Sequence, residues 1–100
     1  MAVPMTPDEF KRRTKRFALA IVRLVGSLPP TEAARVIGGH ALRSGTSVGA
    51  NYRAACRARS RAEFASKLGV TEEEADETLY WLELLAESGL ARTDRLRALI

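Results

Sequence analysis

Arg53, Arg57, Arg59 and Arg61 fall within nine residues of one another, and Lys11, Arg12, Arg13, Lys15 and Arg16 within six. The planar guanidinium of arginine donates two parallel hydrogen bonds to one phosphate, so clustered arginines suit polyanions. Such contacts give an affinity that falls steeply with salt and carry little base-sequence information. Arg12, Arg13, Arg16, Arg53, Arg57, Arg59 and Arg61 are therefore the candidate nucleic-acid contacts, with Arg43 as a further member of the basic set. Alternatively, these arginines pair with the chain's own acids, those of the third helix. Tyr52 lies among them and has the chemistry to stack on an unpaired base, although packing is the simpler use of a tyrosine at this spacing.

Other reactive side chains are few. His40 is the single histidine and Cys56 the single cysteine. His40 has no serine or cysteine at a catalytic spacing, which favours a surface or interface role over general-base work. Cys56 sits near Arg53 and Arg57, whose charge would favour a thiolate, but no base stands beside it in sequence. The acids Glu72, Glu73, Glu74, Asp76 and Glu77 lack the histidine three residues on that di-metal helical bundles use, so a solvated or salt-bridged face is expected and no metal. No glycine-rich phosphate loop, zinc spacing or nucleophile elbow occurs, so neither cofactor nor catalytic site is expected.

These side chains must be positioned by helices. Thr6-Pro7-Asp8-Glu9 is a helix start: a capping hydroxyl, a proline for the first turn and an acid three residues after the cap. Phe10, Thr14, Phe17, Ile21, Leu24 and Leu28 then follow steps of four and three, the mark of one buried stripe. Pro29 and Pro30 stop that helix. Thr31 caps a second, with the stripe Ala34, Ile37, Ala41, Ser44, Val48, Tyr52 and Ala55. Gly45 to Gly49 lower its helix propensity and leave a loop as the alternative, but the stripe keeps its phase on both sides. Ser60 and Glu63 form a capping box for a third helix with the stripe Phe64, Leu68, Thr71, Ala75, Leu79, Leu82 and Ala86, read as unbroken through Gly69. Ser88-Gly89 ends it. Thr93 begins a fourth segment with Leu96, Leu99 and Ile100 apolar; the sequence stops about two turns in, so the stub is expected to be a truncation or to pack on a neighbour.

The expected fold is all-α: a single domain over residues 1–100, an antiparallel up-down four-helix bundle whose fourth helix is short or truncated. Forty-six per cent of the chain is hydrophobic, an ordinary globular value. No apolar run approaches the roughly 20 residues of a membrane span, and the first ten residues do not read as a secretory signal. With one cysteine, this favours the cytoplasm. The net charge of +4 hides an asymmetry: residues 1–67 hold 13 Lys/Arg against 4 Asp/Glu, whereas residues 68–100 hold 3 against 8. In an up-down bundle the start of the first helix, the end of the second and the start of the third share one end, which would gather the arginines on one pole.

The run Arg43-Ser44-Gly45-Thr46-Ser47-Val48-Gly49-Ala50-Asn51, followed by Arg59-Ser60-Arg61-Ala62-Glu63-Phe64, resembles the small bacterial four-helix-bundle family that includes the 23S rRNA intervening-sequence proteins and the accessory proteins of diversity-generating retroelements. Ser44, Thr46, Ser47, Gly49, Ala50, Asn51, Ser60, Glu63 and Phe64 fall on the family pattern. Where many members have Ala-Glu-Gly, this chain has Arg53-Ala54-Ala55, an arginine-rich variant. The resemblance implies a homopentamer and, in the retroelement branch, binding to nucleic acid and a reverse transcriptase. Ser44, Thr46, Ser47, Gly49 and Asn51 are accordingly expected in helix packing or subunit contact, as are the neighbouring aromatics Tyr80 and Trp81. The polar side chains of Ser44, Thr46, Ser47 and Asn51 can bond back to their own helix or across to another. The expected function is a non-catalytic RNA-binding or ribonucleoprotein assembly module acting as a symmetric oligomer. The alternative is a protein scaffold docking an acidic partner without touching nucleic acid.

Overall fold

The computed structural model describes residues 5–97 and residue 99. Within them run α1 (Pro7–Gly26), α2 (Glu32–Cys56), α3 (Arg61–Glu87) and α4 (Thr93–Arg97). The three long helices begin on the residues whose hydroxyls can satisfy a free amide. Glu9 N–H donates to Thr6 Oγ1 at 3.2 Å, Ala34 N–H to Thr31 Oγ1 at 3.1 Å, and Glu63 N–H to Ser60 Oγ at 3.0 Å. Glu63 returns the contact by accepting from Arg59 N–H at 3.3 Å, closing the turn between α2 and α3. α3 stops where Gly89 adopts φ +76°, a left-handed conformation that a Cβ would oppose. α2 continues unbroken through Gly45 to Gly49, and α3 through Gly69, as their stripes require.

The small residues of α2 explain how α1 lies so close. A Cβ at Gly45 would stand 3.0 Å from Ile21 Cγ1, and one at Gly49 3.0 Å from Thr14 Oγ1. On its other side α2 meets α3, where the Ser44 and Thr78 hydroxyls share a buried 2.9 Å hydrogen bond. Each hydroxyl also reaches a carbonyl of its own helix, so two buried polar groups are satisfied. Among the described residues α1 and α3 approach each other nowhere within 8 Å between Cα atoms. α2 is therefore the middle of a thin slab, 44 × 30 × 18 Å, with α1 and α3 as its flanks.

The main core sits toward the end distal to the arginines: Ile21, Leu24, Ala41, Leu82, Leu85 and Leu96. Leu96 is 2% exposed, so α4 contributes to the core of its own chain, and Arg95 ties it to the α1–α2 turn by donating to Ser27 Oγ at 2.7 Å. This corrects the expectation that the stub, if not a truncation, packs on a neighbour. Ile100 of that apolar segment and residues 1–4 lie outside the described residues. A second correction concerns α3. The predicted buried stripe includes Phe64 and Ala75, yet both are exposed, while Leu85, off that stripe, is fully buried. The cause is the slab: with α1 held off from α3, the Phe64–Ala75 side of α3 faces an open groove lined by Phe17, Ala75, Leu79, Leu82 and Leu99.

Candidate nucleic-acid interface

Helix directions decide where the arginines go. α1 rises from the end where α2 finishes and α3 starts, so the N-terminal turns of α1 stand beside the last turns of α2. Phe10 packs edge-to-face on Tyr52 with ring centroids 4.5 Å apart, fixing this register. Tyr52 is thereby buried, which pushes its phenol pKa up, with a further rise from its hydrogen bond to Cys56. It is a packing residue and offers no ring face to a base.

Around this joint the pole carries two basic depressions. One, of about 270 Å³, runs between α1 and α2 and is bordered by Lys11, Lys15 and Arg53, with small residues including Ala18, Gly49 and Ala50 as its floor. The other, of about 360 Å³, is polar and bordered by Arg12, Arg13 and Arg16 together with Met5 and Glu9. Arg57 and Arg59 lie in the α2–α3 turn and Arg61 opens α3, all exposed. The geometry thus brings Arg12, Arg13, Arg53, Arg57, Arg59 and Arg61 to one end, with Arg16 at its border. Among the described residues none of these seven makes an ion pair with a carboxylate.

Arg43 does not join them. It lies midway along α2, where its guanidinium reaches Glu77 at 2.6 Å and Glu74 at 3.2 Å on α3. Those acids raise its pKa, Glu77 first. Glu77 also accepts from Trp81 Nε1 at 3.0 Å, and Trp81 stacks on His40 with centroids 4.4 Å apart. The hydrogen bonds from Trp81 and then Arg43 hold the Glu77 carboxyl below its ordinary range. For Arg43 the seam realises the alternative of pairing with the chain's own acids, but which acids it meets is not legible in sequence. Only the seam's Glu77–Trp81 arm, four residues apart on one helix, leaves a local signal. The cleft pairing Lys11 and Lys15 with Arg53 is likewise hidden there, since it depends on helix register.

The expected packing set divides. Ser44 and Gly49 serve contacts within the chain. Thr46 and Ser47 turn their hydroxyls onto carbonyls of their own helix, at 2.8 Å to Leu42 and 2.7 Å to Arg43, and Asn51 Nδ2 donates to Ser47 O at 2.9 Å. All three of these donors thus bond within α2. Trp81 is half-buried in the seam, whereas Tyr80 is 54% exposed. His40 and Cys56 stand 16 residues apart on one helix, about 24 Å at 1.5 Å per residue, too far to act as a dyad. Among the described residues no group of histidines, cysteines and acids is arranged to hold a metal ion, and no helix is long and apolar enough to cross a membrane.

The model of the 23S rRNA-intervening sequence protein family matches residues 9–100. No curated protein matches the chain. Among solved structures, a protein of unknown function from the S23 ribosomal protein family of Bacteroides thetaiotaomicron is similar, with a TM-score of 0.87 and 39% identity over 95% of this chain and 85% of that one. The retroelement side of the resemblance receives no support from these matches. Helix order, the small-residue face of α2 and these similarities agree: the chain belongs to the 23S rRNA-intervening sequence protein family.

Proposed function

We propose that this protein is a non-catalytic RNA-binding module, acting as a symmetric oligomer whose arginine poles hold phosphates. One observation carries the proposal: seven arginines stand exposed at or beside one end of the molecule with no carboxylate partner among the described residues, while Arg43 on the same chain is fully paired. Unpaired arginines crowded on one pole repel one another, and a polyanion relieves that repulsion while releasing its counterions. Arg53, Arg57, Arg59 and Arg61 are assigned the central phosphate contacts, flanked by Arg12, Arg13 and Arg16. The family's association with rRNA intervening sequences supports RNA as the polyanion.

Filter binding to a structured RNA across a salt series tests this. Four to six phosphate contacts give a slope of log affinity against log salt of about −3 to −5. Absence of binding at low salt would remove RNA and turn the pole toward an acidic protein surface.

A further inference from the structure

The two flanks of the slab carry opposite charge in matching stripes. On α1, Arg12, Arg16, Leu19 and Arg23 recur at steps of four, three and four, and all are exposed. On α3, Glu73, Asp76, Tyr80, Glu83 and Glu87 recur at steps of three, four, three and four, and all are exposed. Steps of this kind keep residues on one helix face, the spacing by which helices pack side by side. No lysine or arginine interrupts residues 68–91, and the α1 stripe contains no acid. Each stripe also has an apolar centre open to solvent: Leu19 and the adjoining Val22 are 43% and 47% exposed, and Tyr80 is 54% exposed.

The stripes stand at the same height. Gly45 of α2 abuts Ile21, while the adjacent Ser44 meets Thr78 and His40 stacks on Trp81. Ile21 of α1 is therefore level with about residue 76 of α3. Within the few ångströms that side chains span, Arg16 stands level with Glu72 and Glu73, and Arg23 falls between Asp76 and Tyr80. Both helices run antiparallel to α2 and so parallel to each other. A neighbouring copy, related by rotation about an axis along the helices, would present its α3 flank to this α1 flank with direction and height preserved.

We infer that the α1 flank of one copy docks on the α3 flank of the next, joining Arg16 and Arg23 to Glu73 and Asp76 around a contact of Leu19 and Val22 with Tyr80. The contact is heterologous: two different faces meet, so each copy keeps one free face until a ring closes. It rests on the oligomeric part of the proposed function, names the surfaces responsible, and withdraws Arg16 from the RNA contacts.

Charge reversal with sedimentation velocity, on protein freed of nucleic acid, tests it. Arg16→Glu with Arg23→Glu, and separately Glu73→Arg with Asp76→Arg, each weaken self-association at least tenfold. All four changes in one chain restore the wild-type mass, because the flanks again carry opposite charge. Val22→Asp, which alters no charged partner, also lowers the mass. Circular dichroism confirms that each variant keeps its helices; should a reversal variant unfold, the mass of the folded Val22→Asp variant decides the point. Wild-type protein that assembles while the folded variants assemble equally well would overturn the flank assignment and leave the oligomer standing. A wild-type monomer at working concentration would overturn both.

Discussion

Arg43 lies within α2 and Arg57 at its C-terminal cap, about four turns on, and the two live in opposite conditions. Arg43 spans the α2–α3 seam, where it pairs with Glu74 and Glu77, Glu77 also accepts from Trp81, and Trp81 stacks on His40. Arg57 caps α2 at the pole, where none of the described carboxylates pairs with it. Residue type alone does not distinguish a structural arginine from one available to a ligand. Position along the helix does, because the α3 acids begin only at Glu72, and the acids near the pole, Asp8, Glu9 and Glu63, make no ion pair with its arginines among the described residues.

The comparison breaks most visibly in stability. Leu82 is 1% exposed in the core beyond the seam, and Leu82→Ala is expected to cost about 2–5 kcal/mol in urea unfolding. A smaller loss would mean that the slab relaxes around the cavity. Gly45→Val should cost about 1–3 kcal/mol, since the new side chain meets buried Ile21. Gly39 lies inside α2 with nothing within 4 Å of where a Cβ would stand, so Gly39→Ala should raise stability by about 0.5–1 kcal/mol, measured the same way. The opposite signs at two glycines of one helix would locate the α1 contact.

Next in size is the seam's own chemistry. Thr78→Val removes a buried hydroxyl from the Ser44 pair and should cost about 1 kcal/mol. Glu77 contributes through its lowered pKa. A carboxyl held low in the folded state stabilises above its ordinary value, and that contribution fades as pH falls through the folded value. Melting temperature should therefore drop on acidification more for the wild type than for Glu77→Gln. Equal acid limbs would show that Trp81 and Arg43 do not hold the carboxylate in solution. At the pole the expected stability effect is smallest: Arg57→Ala with Arg59→Ala should change unfolding by no more than about 0.5 kcal/mol.

Much of the fold is legible in the residues themselves. Caps at Thr6, Thr31 and Ser60 and the continuous α2 and α3 stripes are local signals, carried by one or two turns of sequence. The buried assignment of Phe64 and Ala75 fails because it assumes a closed bundle, whereas α1 packs on α2 and does not approach α3 among the described residues. The gathering of the arginines follows from helix direction alone. The capture of Arg43 does not, because it depends on a cross-helix register that puts residues 31 and 34 positions away within reach of one guanidinium. Thr46, Ser47 and Asn51 leave two readings open in sequence, bonds back to their own helix or across to another, and in the structure they take the first.

The pole and the seam can be set against each other in one experiment, the salt dependence of RNA binding for Arg57→Ala with Arg59→Ala and for Arg43→Ala. Loss of two phosphate contacts flattens the log–log salt slope by about 1–2 for the pole variant, while the seam variant keeps the wild-type slope. An unchanged slope at the pole, or an equal flattening by Arg43→Ala, would contradict the division of this protein's arginines into bound and free.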